Sequence, residues 1–268
     1  MDASIWIVIV LTFIIHYIGT LAMAVRIVGI QTKLWSMSYA IFNIISIFSR
    51  MSNTLQAPLL AKIVETDIQQ GREIDTLSFR IIIMAASVGT IVGGFSIPTF
   101  QRVLARMVRK YYEVHSFTRL FLYGFSPRAW VYVYQCLTWP VKGNWHFLKN
   151  FSGISPKILI LNMLSSAILT IGVLSCLYAG YLNPDLRATS SSMNGVINGV
   201  STLLALVLVD PYIALLTDEV NVGKRPESDY RRYIVFLLVA RLAGTLIAQL
   251  MLIPLSYFVL FLAEHIRF

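Results

Sequence analysis

Long uninterrupted apolar runs dominate this chain. They lie at Ala3 to Ala24, Leu34 to Leu60, Phe79 to Phe100, Ile158 to Leu182, Val196 to Leu216 and Tyr233 to Leu262. Each is close to or above the roughly 20 residues that a spanning helix needs. The runs are continuous rather than alternating with period two, so the short alternating strands of a membrane barrel do not fit. Inside lipid, backbone groups must then be satisfied along each helix. The pattern predicts an all-α polytopic membrane protein of six transmembrane helices. Residues 101–157 interrupt it. The chain therefore divides into residues 1–100 with helices one to three, a central segment at 101–157, and residues 158–268 with helices four to six.

Composition agrees: 57% of residues are hydrophobic and 13% charged, about half the charged fraction of an average soluble domain. Ala22-Met23-Ala24 imitates a signal-peptide cleavage site. The preceding run is longer than a signal peptide's apolar core, however, and the residues ahead of it carry Asp2 and no Lys or Arg, which predicts retention as the first helix. Charge then sets orientation. The central segment holds nine Lys and Arg against the single acid Glu113, and with it on the cytoplasmic side the loops carry 15 basic residues inside and 5 outside. By the positive-inside rule both termini face out. The same segment interleaves its cations with Tyr123, Trp130, Tyr132, Trp139 and Trp145, among other aromatics. This fits interfacial helices with rings at headgroup level and, more sharply, a vestibule for lipid headgroups. No RNP-type or zinc-finger pattern points to nucleic acid. Cys136 and Cys176 have no metal-site spacing and the four histidines are scattered, so neither a metal nor another cofactor is expected.

A weak internal repeat runs at an offset of 155 residues. Asn43-Ile44-Ile45-Ser46 faces Asn198-Gly199-Val200-Ser201, and Val88-Gly89-Thr90-Ile91-Val92 faces Ala243-Gly244-Thr245-Leu246-Ile247. Three spans per unit is an odd number, so the two units would have opposite topology, as inverted repeats of secondary transporters do.

Polar residues within the spans are few. On the second helix Asn43, Ser46, Arg50, Asn53 and Thr54 share a stripe, with Gln56 and Pro58 just beyond; on the fifth Asn194, Asn198 and Ser201 do; on the sixth Arg241, Thr245 and Gln249 do. The three stripes are expected to face a shared interior, as a polar cavity or as helix-helix glue. Asp210 is the only acid within a span. It lies six residues from Leu216, about 9 Å by helical rise, and Arg241 lies eight residues from Tyr233, about 12 Å from the same face. Matching depth predicts that they pair. Arg50 then stands without an acid, and a guanidinium flanked by amides and hydroxyls suits a phosphate. Arg26, at the inner end of the first helix, is either a phosphate contact or an interfacial anchor. His16, in mid-span, is a candidate proton carrier or a packed histidine.

The run Ser49-Arg50-Met51-Ser52-Asn53-Thr54-Leu55-Gln56-Ala57-Pro58, with Ala24 to Lys33 and Phe42-Asn43-Ile44-Ile45 ahead of it, resembles the Amj family of bacterial lipid II flippases. The resemblance implies export of lipid II, the undecaprenyl-pyrophosphate-linked disaccharide-pentapeptide that builds peptidoglycan, across a bacterial plasma membrane. It assigns no residue roles. Those rest on the charge argument, which makes Arg50, Asn53, Gln56, Arg26 and Asn43 the candidate pyrophosphate contacts. No G-x-x-x-x-G-K-[ST] motif is present, so the chain does not itself hydrolyse ATP through a P-loop. Six helices leave little interior for so large a head, which calls for a homodimer or a laterally open groove among membrane lipids. The rival readings are another ion-coupled lipid transporter and a membrane-embedded polyprenyl-pyrophosphate phosphatase or transferase. The enzyme would need positioned acids or a metal, and the spans offer only Asp210.

Overall fold

A computed structural model describes residues 3–72, 75–139 and 153–266. Lys142, Trp145, His146 and Lys149 of the central segment lie outside the described residues. Among the described residues the structure is helical throughout. The first half holds α1 (Ala3–Thr32), α2 (Trp35–Gln69) and α3 (Thr76–Val114), followed by the short α4 (Phe117–Gly124) and α5 (Pro127–Cys136). The second holds α6 (Pro156–Leu182), a 3-10 turn at Pro184–Leu186, α7 (Arg187–Ser192), α8 (Asn194–Leu203), a π-helical stretch at Leu204–Val209, α9 (Asp210–Asn221) and α10 (Glu227–His265).

Local chemistry sets the ends. The Asp75 carboxylate accepts from the Ser78 backbone N–H to open α3, while Ser116 and Ser126 cap α4 and α5 in the same way. Pro127 and Pro156 occupy first-turn positions, where the missing N–H costs nothing. His115 ends α3 in the left-handed conformation, with φ of 50°.

Among the described residues five stretches are long and apolar enough to cross a membrane: Ser4–Thr32, Thr76–Tyr111, Pro156–Leu182, Pro184–Asn221 and Glu227–His265. The second apolar run folds as the helix α2, 35 residues long, but Arg50, Asn43, Asn53, Gln56 and six Ser or Thr between residues 36 and 54 keep it below that apolarity. Several helices overshoot the apolar runs. At 39 residues, α3 is about 58 Å long and passes unbroken through residue 101. The first part of the basic segment thus extends a span. The fifth span is a chain of short pieces whose π-helical turn precedes Asp210-Pro211. Such a turn accommodates a proline that cannot donate its backbone bond.

Packing repeats between the halves. α1 lies along α3 and α2, and α6 lies along α10 and α8. Glycine permits the closest approaches. A Cβ on Gly89 of α3 would stand 2.6 Å from the Phe13 carbonyl oxygen of α1, and one on Gly244 of α10 would collide with the Met163 carbonyl of α6. Gly89 and Gly244 are the pair that the 155-residue offset relates. The halves meet where α3 and α10 cross antiparallel. Arg80 Nη1 donates to the Gln249 carbonyl at 3.2 Å and Gln249 Nε2 returns a bond to the Arg80 carbonyl at 2.9 Å; Ser87 Oγ donates to Thr245 Oγ1 at 3.1 Å. An apolar cluster including Val8, Leu60, Ile83, Leu174 and Leu252 welds α1, α2, α3, α6 and α10 toward the end where α3 begins.

Gly89→Val and Gly244→Val should each destabilise the fold by about 1–3 kcal/mol or more through overpacking against backbone. Gly199→Ala, on an open helix face, should hold or raise stability, since alanine favours a helix by about 1 kcal/mol. Thermal unfolding of the purified protein in detergent measures both. Unchanged melting of the two valine variants would show that the helices do not approach so closely.

Candidate functional site

A groove of about 770 Å³ opens beside the α3–α10 crossing. Its walls come from α3 between Thr90 and Arg109, α10 between Arg231 and Leu242, the end of α1 at Ile27 and Gln31, and Tyr132, Thr138 and Trp139 in and after α5. From Thr90 to Arg109 is 19 residues, about 28 Å of helix, of which Thr90 to Phe100 lies in the apolar run and Arg102 to Arg109 beyond it. The bed is apolar, with Ile91, Phe95, Val235, Leu238 and Leu242; the mouth is basic, with Arg102, Arg106, Arg109 and Arg231. The three arginines of α3 stand at i, i+4 and i+7 and so share one face. Among the described residues no Asp or Glu lines the groove, though Arg231 at its edge is paired with Glu227, Nη2 to Oε1 at 2.7 Å. An amphipathic anion matches such a surface: an apolar chain along the bed and negative charge at the mouth.

α3 is soft here. Pro98 lacks the N–H that would bond to the Gly94 carbonyl. Gly93 and Gly94 let α1 and α10 close in, since a Cβ on either would stand 2.8 Å from Thr20 or Leu238. A second, apolar groove of about 620 Å³ lies on the other half of the same helix, between Leu77, Arg80, Met84 and Val88 of α3, Phe13 of α1 and Gln249 of α10. Leu77, Met84, Val88, Ile91 and Phe95 are exposed, as are Arg102, Arg106 and Arg109. Their three- and four-residue spacing makes one outward stripe along α3 from groove to groove.

The residues expected from the sequence are distributed differently. Asp210 does not pair with Arg241. It bonds Arg26 of α1, Nη2 to Oδ1 at 2.6 Å. Arg26 lies six residues from the end of α1, the same depth as Asp210, and faces α9. Arg241 packs against Gly19, with Nη2 2.6 Å from where a Cβ would stand. Its Nε is buried without a hydrogen-bond partner among the described residues, as is Nδ1 of His16, which lies near enough to interact electrostatically.

The three stripes do not converge on one interior. On α2, Asn43 and Asn53 are exposed and Thr54 is outward; Ser46 bonds the Phe42 carbonyl of its own helix; Gln56 turns in, its Nε2 donating to Thr12 Oγ1 of α1 at 3.0 Å. The Arg50 side chain lies outside the described residues. On α8, Asn198 Nδ2 donates to Asn194 Oδ1 at 2.5 Å, and Ser201 and Ser165 exchange hydroxyl-to-carbonyl bonds at 2.8 and 2.9 Å, fastening α8 to α6. Asn194 also borders a cavity of about 140 Å³ beside Pro58 of α2. On α10, Thr245 and Gln249 serve the α3 crossing. The mouth arginines entered the sequence argument as positive-inside charge and as part of a headgroup vestibule. Their i, i+4, i+7 spacing was the signal that places them on one face.

Membrane-length helices carrying a lateral amphipathic groove define a multi-pass membrane protein. The chain belongs to the Amj family, described as Alternate to MurJ, whose family model matches residues 11–263. It is 34% identical over 259 residues to the lipid II flippase Amj of Bacillus subtilis (strain 168), covering 94% of this chain and 93% of that protein. No solved structure matches it significantly.

A double-mutant cycle on Arg26→Ala and Asp210→Ala should show a coupling of roughly 0.5–3 kcal/mol in stability. A cycle on Asp210→Ala and Arg241→Ala should be additive within about 0.5 kcal/mol. Coupling in the second cycle and additivity in the first would reverse the assignment of partners.

Proposed function

We propose that this chain is a lipid II flippase, a transporter and not an enzyme, and that the lipid travels along the outward face of α3. The substrate comes from the relative, whose name states it and whose likeness extends over nearly the whole chain. The groove supports the manner of transport. Its lateral opening keeps the isoprenoid chain in lipid while the arginines of the mouth hold the phosphates, so a second copy is not required to enlarge an interior. The apolar groove on the other half of α3, with Arg80 at its rim, is the release side. Between them lies the Ser87–Thr245 contact.

In this reading α2 is the sixth span. Its exposed Asn43 and Asn53 form a polar face that lines neither groove. The halves are inverted repeats, which the equivalent glycine contacts at Gly89 and Gly244 support. A discontinuous fifth span is also a transporter feature. The end bearing Arg102, Arg106 and Arg109 is cytoplasmic by the positive-inside rule, and both termini lie outside.

Two measurements test this. Reconstituted in liposomes, the protein should move fluorescent lipid II between leaflets at least about tenfold faster than an ordinary phospholipid, the order of discrimination that about 1.4 kcal/mol supplies. Equal rates would make it a non-selective scramblase. In intact cells a cysteine at Arg106 should be shielded from a membrane-impermeant thiol reagent and one at Arg72 should label; the reverse pattern would invert the topology.

A further inference from the structure

The mouth of the groove is spanned by a strap, the stretch from Tyr132 of α5 to Trp139. It is fastened to α3 at four places. The Thr138 N–H donates to Thr99 Oγ1 at 3.0 Å, and the Thr99 hydroxyl donates back to the Thr138 carbonyl at 3.2 Å. Arg102 Nη1 donates to the Thr138 hydroxyl at 2.6 Å. The Arg106 guanidinium lies over the Tyr132 ring, 5.0 Å from its centroid, and Trp139 stands edge-on to Phe95 with ring centroids 6.4 Å apart. Two of the three arginines on the α3 stripe are thus engaged by neutral strap groups.

Those contacts are the kind an anion displaces. A guanidinium bonded to a phosphate oxygen makes a charge-assisted and often bidentate contact, roughly twice as strong as a neutral one. A second phosphate extends the match, because successive arginines at i, i+4 and i+7 present forks about 6 and 4.5 Å apart along the helix axis. A single carboxylate or phosphate engages one fork; a diphosphate reaches two. The mouth also runs directly into the apolar bed, so the matching anion is one bonded to a long apolar chain.

We infer that Arg102, Arg106 and Arg109 form a diphosphate-reading site for a polyprenyl diphosphate, and that Thr138 is the internal occupant which the diphosphate displaces. Loading releases the strap, lifts Trp139 from Phe95 and uncovers the bed for the isoprenoid chain. The choice of polyprenyl ligand rests on the flippase reading above; the arginine stripe and the strap do not.

The test is equilibrium binding to the full-length protein in detergent, with farnesyl diphosphate, farnesyl monophosphate, farnesol and inorganic pyrophosphate as probes. Farnesyl diphosphate should bind at least about tenfold tighter than each of the other three. Arg106→Gln and Arg109→Gln should each weaken it about tenfold, Arg106→Lys should recover part, and Arg128→Gln, an exposed arginine outside the groove, should leave it unchanged. Thr138→Val should strengthen binding a few-fold by removing the competitor. Both glutamine variants replace exposed side chains, and their melting temperatures confirm folding. Wild-type affinity in both, or pyrophosphate binding as tightly as farnesyl diphosphate, would overturn the site. Weaker binding in Thr138→Val would overturn the competing strap. Diphosphate binding without lipid II movement in liposomes would instead refute the flippase reading and leave the site standing.

Discussion

The arrangement depends on two places where helix backbones nearly touch, α1 with α3 at Gly89 and α6 with α10 at Gly244. In lipid the hydrophobic effect does not drive helices together, and small residues that permit close van der Waals packing take over that work. Each contact makes a tight helix pair, and the second helix of each half packs beside it through hydroxyl and amide bonds such as Gln56 to Thr12 and Ser201 to Ser165. α3 and α10 are thereby held by one flank only. Their other flanks meet across a seam that is apolar toward the start of α3 and carries a few polar contacts, and the grooves open along that seam.

Function follows from the chemistry of the seam. The arginines near the ends of the spans differ in their partners. Arg26 has Asp210, and Arg80 uses the Gln249 carbonyl. Arg102 and Arg106 lean on a neutral hydroxyl and a ring, partners that an anion can replace. The softening of α3 at Gly93, Gly94 and Pro98 falls within the same groove. A carrier of amphipathic phosphates needs this combination: an apolar track open to lipid, cations at one end and a helix that can yield in the middle.

Much of this was legible in the apolar runs, which located every long helix, including α2 despite its polarity. Helix ends were less so, because a helix such as α3 continues past the bilayer wherever capping and packing allow, and apolarity does not register that extension. The polar stripes follow from the helical period alone. What the period cannot give is the neighbour each stripe meets, and the α2, α8 and α10 stripes meet three different ones. The Asp210 partner failed for a related reason. Depth is one coordinate, and Arg26 shares it with Asp210 as well as Arg241 does. Azimuth decides between them, and azimuth follows from tertiary packing. The arginine stripe at 102, 106 and 109 was hidden by a sufficient rule, since positive-inside bias alone accounts for those charges.

The central claim is that lipid passes along the outward face of α3, and photo-crosslinking reads it most directly. A benzoyl-phenylalanine at Ile91, midway along the stripe, and another at Val200, exposed on α8 and outside both grooves, would each be irradiated with lipid II and with excess phospholipid. The account expects lipid II adducts at Ile91 that resist phospholipid competition, and at Val200 only adducts that phospholipid abolishes. Competition-resistant adducts at Val200 with none at Ile91 would contradict it.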